Sequence, residues 1–164
     1  GGGQERHRRG GTENTLGIAA FGEAVHLLSG LSMEMSRVRE LRDSFEARVL
    51  EEIPESSVTA FETERLPGTS SLILSGVDGE KMLMSLDLKG FAVSTGAACS
   101  SGSPEPSPVL LAIGLSRAEA QNSLRVSFGR ENTREQMDAF VEALKSVVIR
   151  LRQISGEAEG VCRA

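Results

Sequence analysis

With 164 residues, 39% of them hydrophobic and 25% charged, the chain can bury one proper core, although a segment cut from a larger fold would have the same length. Its apolar runs read as too short for a transmembrane helix, so no membrane partner is expected, and a formal net charge of -5 argues against sequence-independent nucleic-acid binding despite the local cluster Arg6, Arg8 and Arg9. Two cysteines, Cys99 and Cys162, and two histidines, His7 and His26, make neither a disulfide framework nor a Cys/His zinc site, which predicts a reducing, cytoplasmic compartment and no metal.

The chain opens on Gly1-Gly-Gly-Gln-Glu rather than on Met and lacks the apolar core of a secretory signal there. It is therefore expected to be processed, expressed as a piece, or without an N-terminal portion. Residues 1–11, rich in glycine and arginine, read as loop. Asn14 is placed to cap a helix from about Thr15 to Leu28, with Ile18, Phe21, Val25 and Leu28 as its apolar stripe. Ser29-Gly30 ends it. A second helix, from about Met33 to Ile53, puts Val38, Leu41, Phe45, Val49 and Ile53 on one face and stops at Pro54.

From Ser57 the apolar period changes, and residues 58–63 and 70–75 predict two strands separated by the Pro67-Gly68 turn. Asp78 caps a helix through about Leu88, Gly90 closes it, and residues 91–94 predict a third strand. A short buried helix over residues 109–115 follows Pro108, Ser116 and Glu119 have capping-box spacing, and residues 123–128 alternate as a fourth strand. Thr133 and Gln136 open the last helix, whose face carries Met137, Phe140, Val141, Leu144, Val147, Val148 and Leu151. After Ser155 the small, polar residues predict a loose tail that holds Cys162. The order of elements predicts a small α+β layer with helices covering one face of a sheet.

Three groups of residues are suited to chemistry. Cys99 lies in a loop of small residues closed by Pro104-Glu-Pro106, so its thiol has access and room to meet a substrate; an inert, modestly exposed cysteine has the same pattern. Arg125 sits on an alternating strand between Leu124 and Val126 and points to the opposite face. A guanidinium mounted there is a rigid clamp for a carboxylate or phosphate, or else an ordinary charge or structural ion pair. Gly10-Gly11-Thr12, just ahead of a helix, can offer backbone N–H groups and a hydroxyl to an anion, or can be a plain turn.

Taken together, four separated segments in order resemble the C-terminal part of the group I cysteine desulfurases, members of the aminotransferase class V family. They are Gly1-Gly-Gly-Gln-Glu-Arg6, Arg9-Gly-Gly-Thr-Glu-Asn14, Ser94-Thr-Gly-Ala-Ala-Cys-Ser-Ser-Gly-Ser-Pro-Glu-Pro-Ser107 and Leu124-Arg-Val-Ser-Phe-Gly-Arg130. The resemblance implies an α/β fold overall, the pyridoxal-phosphate-dependent transferase fold type I. It implies that residues 1–31 are a strap and helix belonging to the large cofactor domain and dimer interface, that residues 32–155 are the small α+β domain with a mostly antiparallel sheet, and that residues 156–164 are a flexible tail.

The resemblance also implies roles. Cys99 would take sulfur from L-cysteine as a persulfide, releasing L-alanine, and hand it to an acceptor such as an iron-sulfur scaffold protein. Arg125 would hold the substrate carboxylate, and Thr12 would reach the phosphate of pyridoxal 5'-phosphate in the other subunit of a homodimer. The family's Schiff-base lysine lies ahead of the Gly-Gly-Gly-Gln-Glu motif, and Lys81, Lys89 and Lys145 do not sit in such a context. The chain alone is therefore expected to be inactive without the N-terminal part, supplied in cis or as a second chain. The alternative reading is a non-catalytic sulfur-relay or partner-docking module. His7 stands where the family motif usually has glycine.

Overall fold

Capping side chains set most of the helix starts in the computed structural model, which describes residues 6, 8, 10–95 and 106–161, the last five by backbone alone. It forms two compact units, Gly1–Glu34 and Met35–Ala164. In the first, Asn14 accepts a hydrogen bond from the Gly17 N–H at 3.0 Å and opens α1, Thr15–Leu27. A single 3-10 turn, Leu28–Gly30, then leads directly into α2, Leu31–Glu52. The expected stop at Ser29-Gly30 is thus a tightened turn, because no proline removes a donor there.

The stripe expected on α1 is bare. Ile18, Phe21 and Val25 are all exposed, and no residue of α1 is buried. The helical run from Thr15 to Glu52 also contains a stretch long and apolar enough to cross a membrane by length and composition, none of it buried. That corrects the expectation drawn from whole-chain composition, in which the charged second half of α2 masks the apolar first helix. Glu23 and His26 interrupt the stretch, and ionisable groups are costly at a bilayer centre.

In the second unit, three strands pair antiparallel in the order β1 (Ser56–Val58), β2 (Thr69–Leu74), β3 (Ser123–Ser127). Alternation sends Leu72, Leu74, Leu124 and Val126 to one face. There they meet Phe45 and Val49 of α2, Met82 and Leu86 of α3 (Gly79–Asp87), and Val141, Leu144 and Val148 of α6 (Arg134–Val161). Phe45 contacts Phe128 edge-on and stacks on Phe140, at centroid distances of 5.3 and 5.6 Å. The α+β layer expected from the order of elements is the one observed.

Local chemistry accounts for the ends. Asp78 caps α3 through the Lys81 N–H, and Gly90, with φ of 85°, ends it as the Phe91 N–H returns to the Leu86 carbonyl. Two short helices follow, α4 (Pro108–Ala112) and α5 (Arg117–Gln121), the second opened by the expected reciprocal Ser116–Glu119 box. Thr133 and Gln136 likewise exchange bonds at the start of α6.

Three boundaries depart from the sequence pattern. The strand expected over residues 58–63 ends at Val58, because Ala60 takes φ of 54° and turns the chain off β2, although the Thr59 N–H still bonds the Ser71 carbonyl. Of residues 91–94, only Ser94 pairs with the sheet: Phe91 is drawn onto Phe140, 5.2 Å away, and the ladder opens. The helix α6 continues to Val161 beyond the expected tail boundary at Ser155. No proline or cap stops it, so each further residue gains an i to i−4 bond.

Candidate functional site

The sheet face turned away from the core carries Ser71 and Arg125. Arg125 stands there, opposite in direction to Leu124 and Val126 as expected, directly across from Ser71 on β2. On its other side Arg125 exchanges both backbone bonds with Ser94, 2.7 Å from its N–H and 3.2 Å from its carbonyl. Thr59 pairs with Ser71 from the far side. Across the sheet, then, runs a row of Thr59, Ser71, Arg125 and Ser94 with one cation among three hydroxyls.

A cavity of about 280 Å³ lies over this row. Thr59, Ser71, Ser107, Ser123 and the half-buried Arg125 make its polar side. Its apolar side is α4: Pro108 sits in the first turn, where its missing N–H costs nothing, and the helix contributes Val109 and Leu110, with Ile113 just beyond it. The Ser116 hydroxyl and N–H hold the Glu119 carboxyl below the usual carboxylate range. That fixes α5, whose end delivers Ser123 to the site.

Two clefts elsewhere in the described residues have less to offer. One of about 340 Å³ is floored by Phe91, Phe128 and Phe140 with Asn132 and Gln136 at its rim, and no titratable group lines it. The other, of about 310 Å³ beside α2, is highly charged, but its Arg65 donates to Glu46 through both terminal guanidinium nitrogens at 2.7 and 2.9 Å. The cavity over β3 joins a cation to hydroxyls and an apolar wall, the equipment for holding a small anion that carries an apolar group.

Of the residues singled out in the sequence, Arg125 lies in this cavity. Cys99 lies outside the described residues, as do His7 and Cys162. The chain leaves the description after Thr95, next to Ser94, and re-enters at Pro106, next to Ser107, so both ends of the Cys99 segment adjoin the Arg125 cavity. Thr12 belongs to the first unit; it is exposed, follows Gly11 with φ of 104°, and precedes the Asn14 cap. Among the described residues, no group of three His, Cys, Asp or Glu side chains could hold a metal.

For pyridoxal 5'-phosphate the fit is partial. An exposed Thr12 hydroxyl beside a left-handed glycine is suited to a phosphate, and Arg125 to a substrate carboxylate. No lysine lines the Arg125 cavity, and Lys145 is engaged with Glu52 at 3.1 Å. Thr12 and Arg125 are each chemically suited to an anion, and no residue of the Arg125 cavity could anchor an aldehyde carbon. Ser71, Thr59 and Ser107 were not singled out by sequence pattern. Their place at the site follows from strand register and from the docking of α4, neither of which leaves a motif.

A sequence model of the family described as aminotransferase class-V matches residues 2–140. The chain is similar to a cysteine desulfurase of Gluconacetobacter diazotrophicus, 39% identical over 100% of this chain and 41% of the relative. It is also similar to cysteine desulfurase IscS 1 of Archaeoglobus fulgidus, 41% identical over 94% of this chain and 41% of the relative. The chain thus spans about two fifths of the length of these curated relatives. Among solved structures, a NifS-like protein of Rickettsia africae superposes with a TM-score of 0.74 at 32% identity, covering 90% of this chain and 38% of the other.

Proposed function

The chain belongs to the aminotransferase class-V family, and from that premise we propose that it is the C-terminal portion of a cysteine desulfurase, acting on L-cysteine within a larger homodimeric enzyme. The observation that carries this reading is the pairing of Ser94 with Arg125. Cys99 is five residues beyond Ser94, so chain geometry keeps their Cα atoms within about 18 Å. A thiol tethered to the same strand row as a guanidinium suits a reaction in which one group holds the acid end of an amino acid and the other takes its sulfur.

In this reading Arg125 binds the substrate carboxylate through its two-pronged guanidinium and fixes the orientation of the Cα–Cβ–S arm. Pyridoxal 5'-phosphate, when bound, supplies the electron sink that makes breaking the substrate C–S bond feasible. The Cys99 thiolate forms a bond to the substrate sulfur as the C–S bond breaks, the bonding pair stays on carbon, and a proton on that carbon completes L-alanine. Cys99 then carries the persulfide to an acceptor such as an iron-sulfur scaffold protein. Thr12 contacts the cofactor phosphate of the other subunit.

The bare apolar face of α1 supports the division of labour proposed for residues 1–31, which pack on protein from the remaining three fifths of the relatives' length rather than on lipid. The reading carries with it a cytoplasmic location, without membrane or nucleic acid as partner. The absence of a lysine from the Arg125 cavity supports the proposal that the anchoring lysine comes from the N-terminal part, and that this chain alone is inactive. The same observation favours a second reading, a non-catalytic sulfur-relay module that is loaded on Cys99 by another protein.

Cys99→Ser in the complete enzyme tests both readings, and the chain by itself decides between them. Loss of sulfide release with the cofactor's visible absorbance retained is expected. Full turnover by the variant would remove Cys99 from the chemistry. Persulfide formation on Cys99 of this chain alone, from a sulfur donor and without cofactor, would favour the relay.

A further inference from the structure

We propose that the hydroxyls of Ser71 and Ser107 join the Arg125 guanidinium in a single seat for an α-carboxylate; this rests on Arg125 being the residue that binds the substrate's acid group. Four serine and threonine hydroxyls line the cavity, and their protons are not equally available. Thr59 spends its own on the Ser71 carbonyl at 3.2 Å, and Ser123 spends its own on the Ala120 carbonyl at 2.8 Å. Ser107 precedes α4 yet makes no capping bond, although it is only 7% exposed. Its hydroxyl reaches the cavity, and no bond within the described residues competes for it, so it can donate to a ligand oxygen.

Ser71 is brought to the same place by the sheet. Because Arg125 gives its N–H and carbonyl to Ser94, its pairing with Ser71 is of the kind without mutual backbone bonds, in which facing side chains approach most closely, with Cβ atoms about 4.5–5.5 Å apart. Among the described residues, no bond to the Ser71 side chain competes for its hydroxyl. A carboxylate offers about four lone-pair positions, of which a two-pronged guanidinium fills two. Two hydroxyl donors, one from β2 and one from the start of α4, match the remainder. Beside this seat the cavity, of about 280 Å³, has room for a small side chain against the apolar wall of Val109 and Ile113.

The test uses the complete, cofactor-loaded enzyme with Ser71→Ala and Ser107→Ala made singly. Each variant is expected to raise KM for L-cysteine about tenfold, the usual loss for a hydrogen bond to a charged group, with a smaller change in kcat. Inhibition by L-alanine, which keeps the carboxylate, is expected to weaken in step, whereas inhibition by cysteamine, which lacks it, stays as in the parent enzyme. An unchanged KM in both variants, or an equal weakening of L-alanine and cysteamine, overturns the proposal, because a purely structural hydroxyl would not distinguish the two. Arg125→Lys, measured in parallel, separates the premises. If Arg125→Lys also leaves KM for L-cysteine unchanged, the carboxylate assignment itself fails; if it raises KM while the serine variants do not, only the hydroxyl seat fails.

Discussion

Arg65→Ala is expected to be among the most damaging substitutions of a charged residue outside the site. Glu46 on α2 has a side chain only 2% exposed, and both terminal guanidinium nitrogens of Arg65 reach it, at 2.7 and 2.9 Å. The bond holds the Arg65 guanidinium firmly protonated, above its ordinary range. The pair ties α2 to the connection between β1 and β2, and Arg42, bonded to the Leu66 carbonyl at 2.9 Å, ties the same connection a turn away. Removing Arg65 leaves Glu46 buried without its cation, which costs about 3–5 kcal/mol. Against a total stability of about 5–15 kcal/mol for a domain, that is a large share, and it corresponds to a fall in Tm of roughly 6–20 °C.

The assay is urea unfolding followed by circular dichroism, with Glu46→Leu/Arg65→Leu as the control. Replacing both charges with apolar groups is expected to restore most of the loss, since the desolvation cost disappears with the pair. A cost below about 1 kcal/mol for Arg65→Ala, the value typical of exposed pairs, would refute the burial of Glu46 on which the reasoning depends.

Gly68→Ala is expected to cost about 1–3 kcal/mol, because an added Cβ would meet the Phe128 carbonyl oxygen where the turn closes on β3; an unchanged urea midpoint would show that the two backbones are not that close. The Arg48 side chain, and then Lys145, hold the Glu52 carboxyl below its ordinary range. A depressed carboxylate contributes stability that is present above its unfolded pKa of about 4.3 and is lost as pH falls through the folded value, so Glu52→Gln should flatten the acid limb of stability against pH. An acid limb identical to the parent's would contradict this.

How the cavity is held together explains why these distant residues bear on it. Thr59, at the site, begins the connection that Arg42 and Glu46 clamp, and Ser71 lies on the strand that follows it. The clamp fixes where β2 enters the sheet, and β2 fixes what faces Arg125. A stability assay on Arg65 is therefore also a probe of the scaffold beneath the proposed carboxylate seat.

The sequence by itself determined the elements whose signals are local. Asn14, Asp78, Ser116 and Thr133 cap helices because side-chain oxygens reach backbone N–H groups three residues on. The alternation of Leu124, Arg125 and Val126 set which face the guanidinium takes before any partner strand was known. The ordered motifs around Thr12, Cys99 and Arg125 were enough to point to the family.

Only the tertiary structure decided what stands beside Arg125. Ser71 faces it by strand register, and Ser107 joins it because α4 packs over that face; each is a relation between segments far apart in sequence, with no periodicity to announce it. The same holds for α1, whose stripe follows a helical period that states only that one face is apolar. What covers that face depends on packing, and within the described residues its side chains remain exposed.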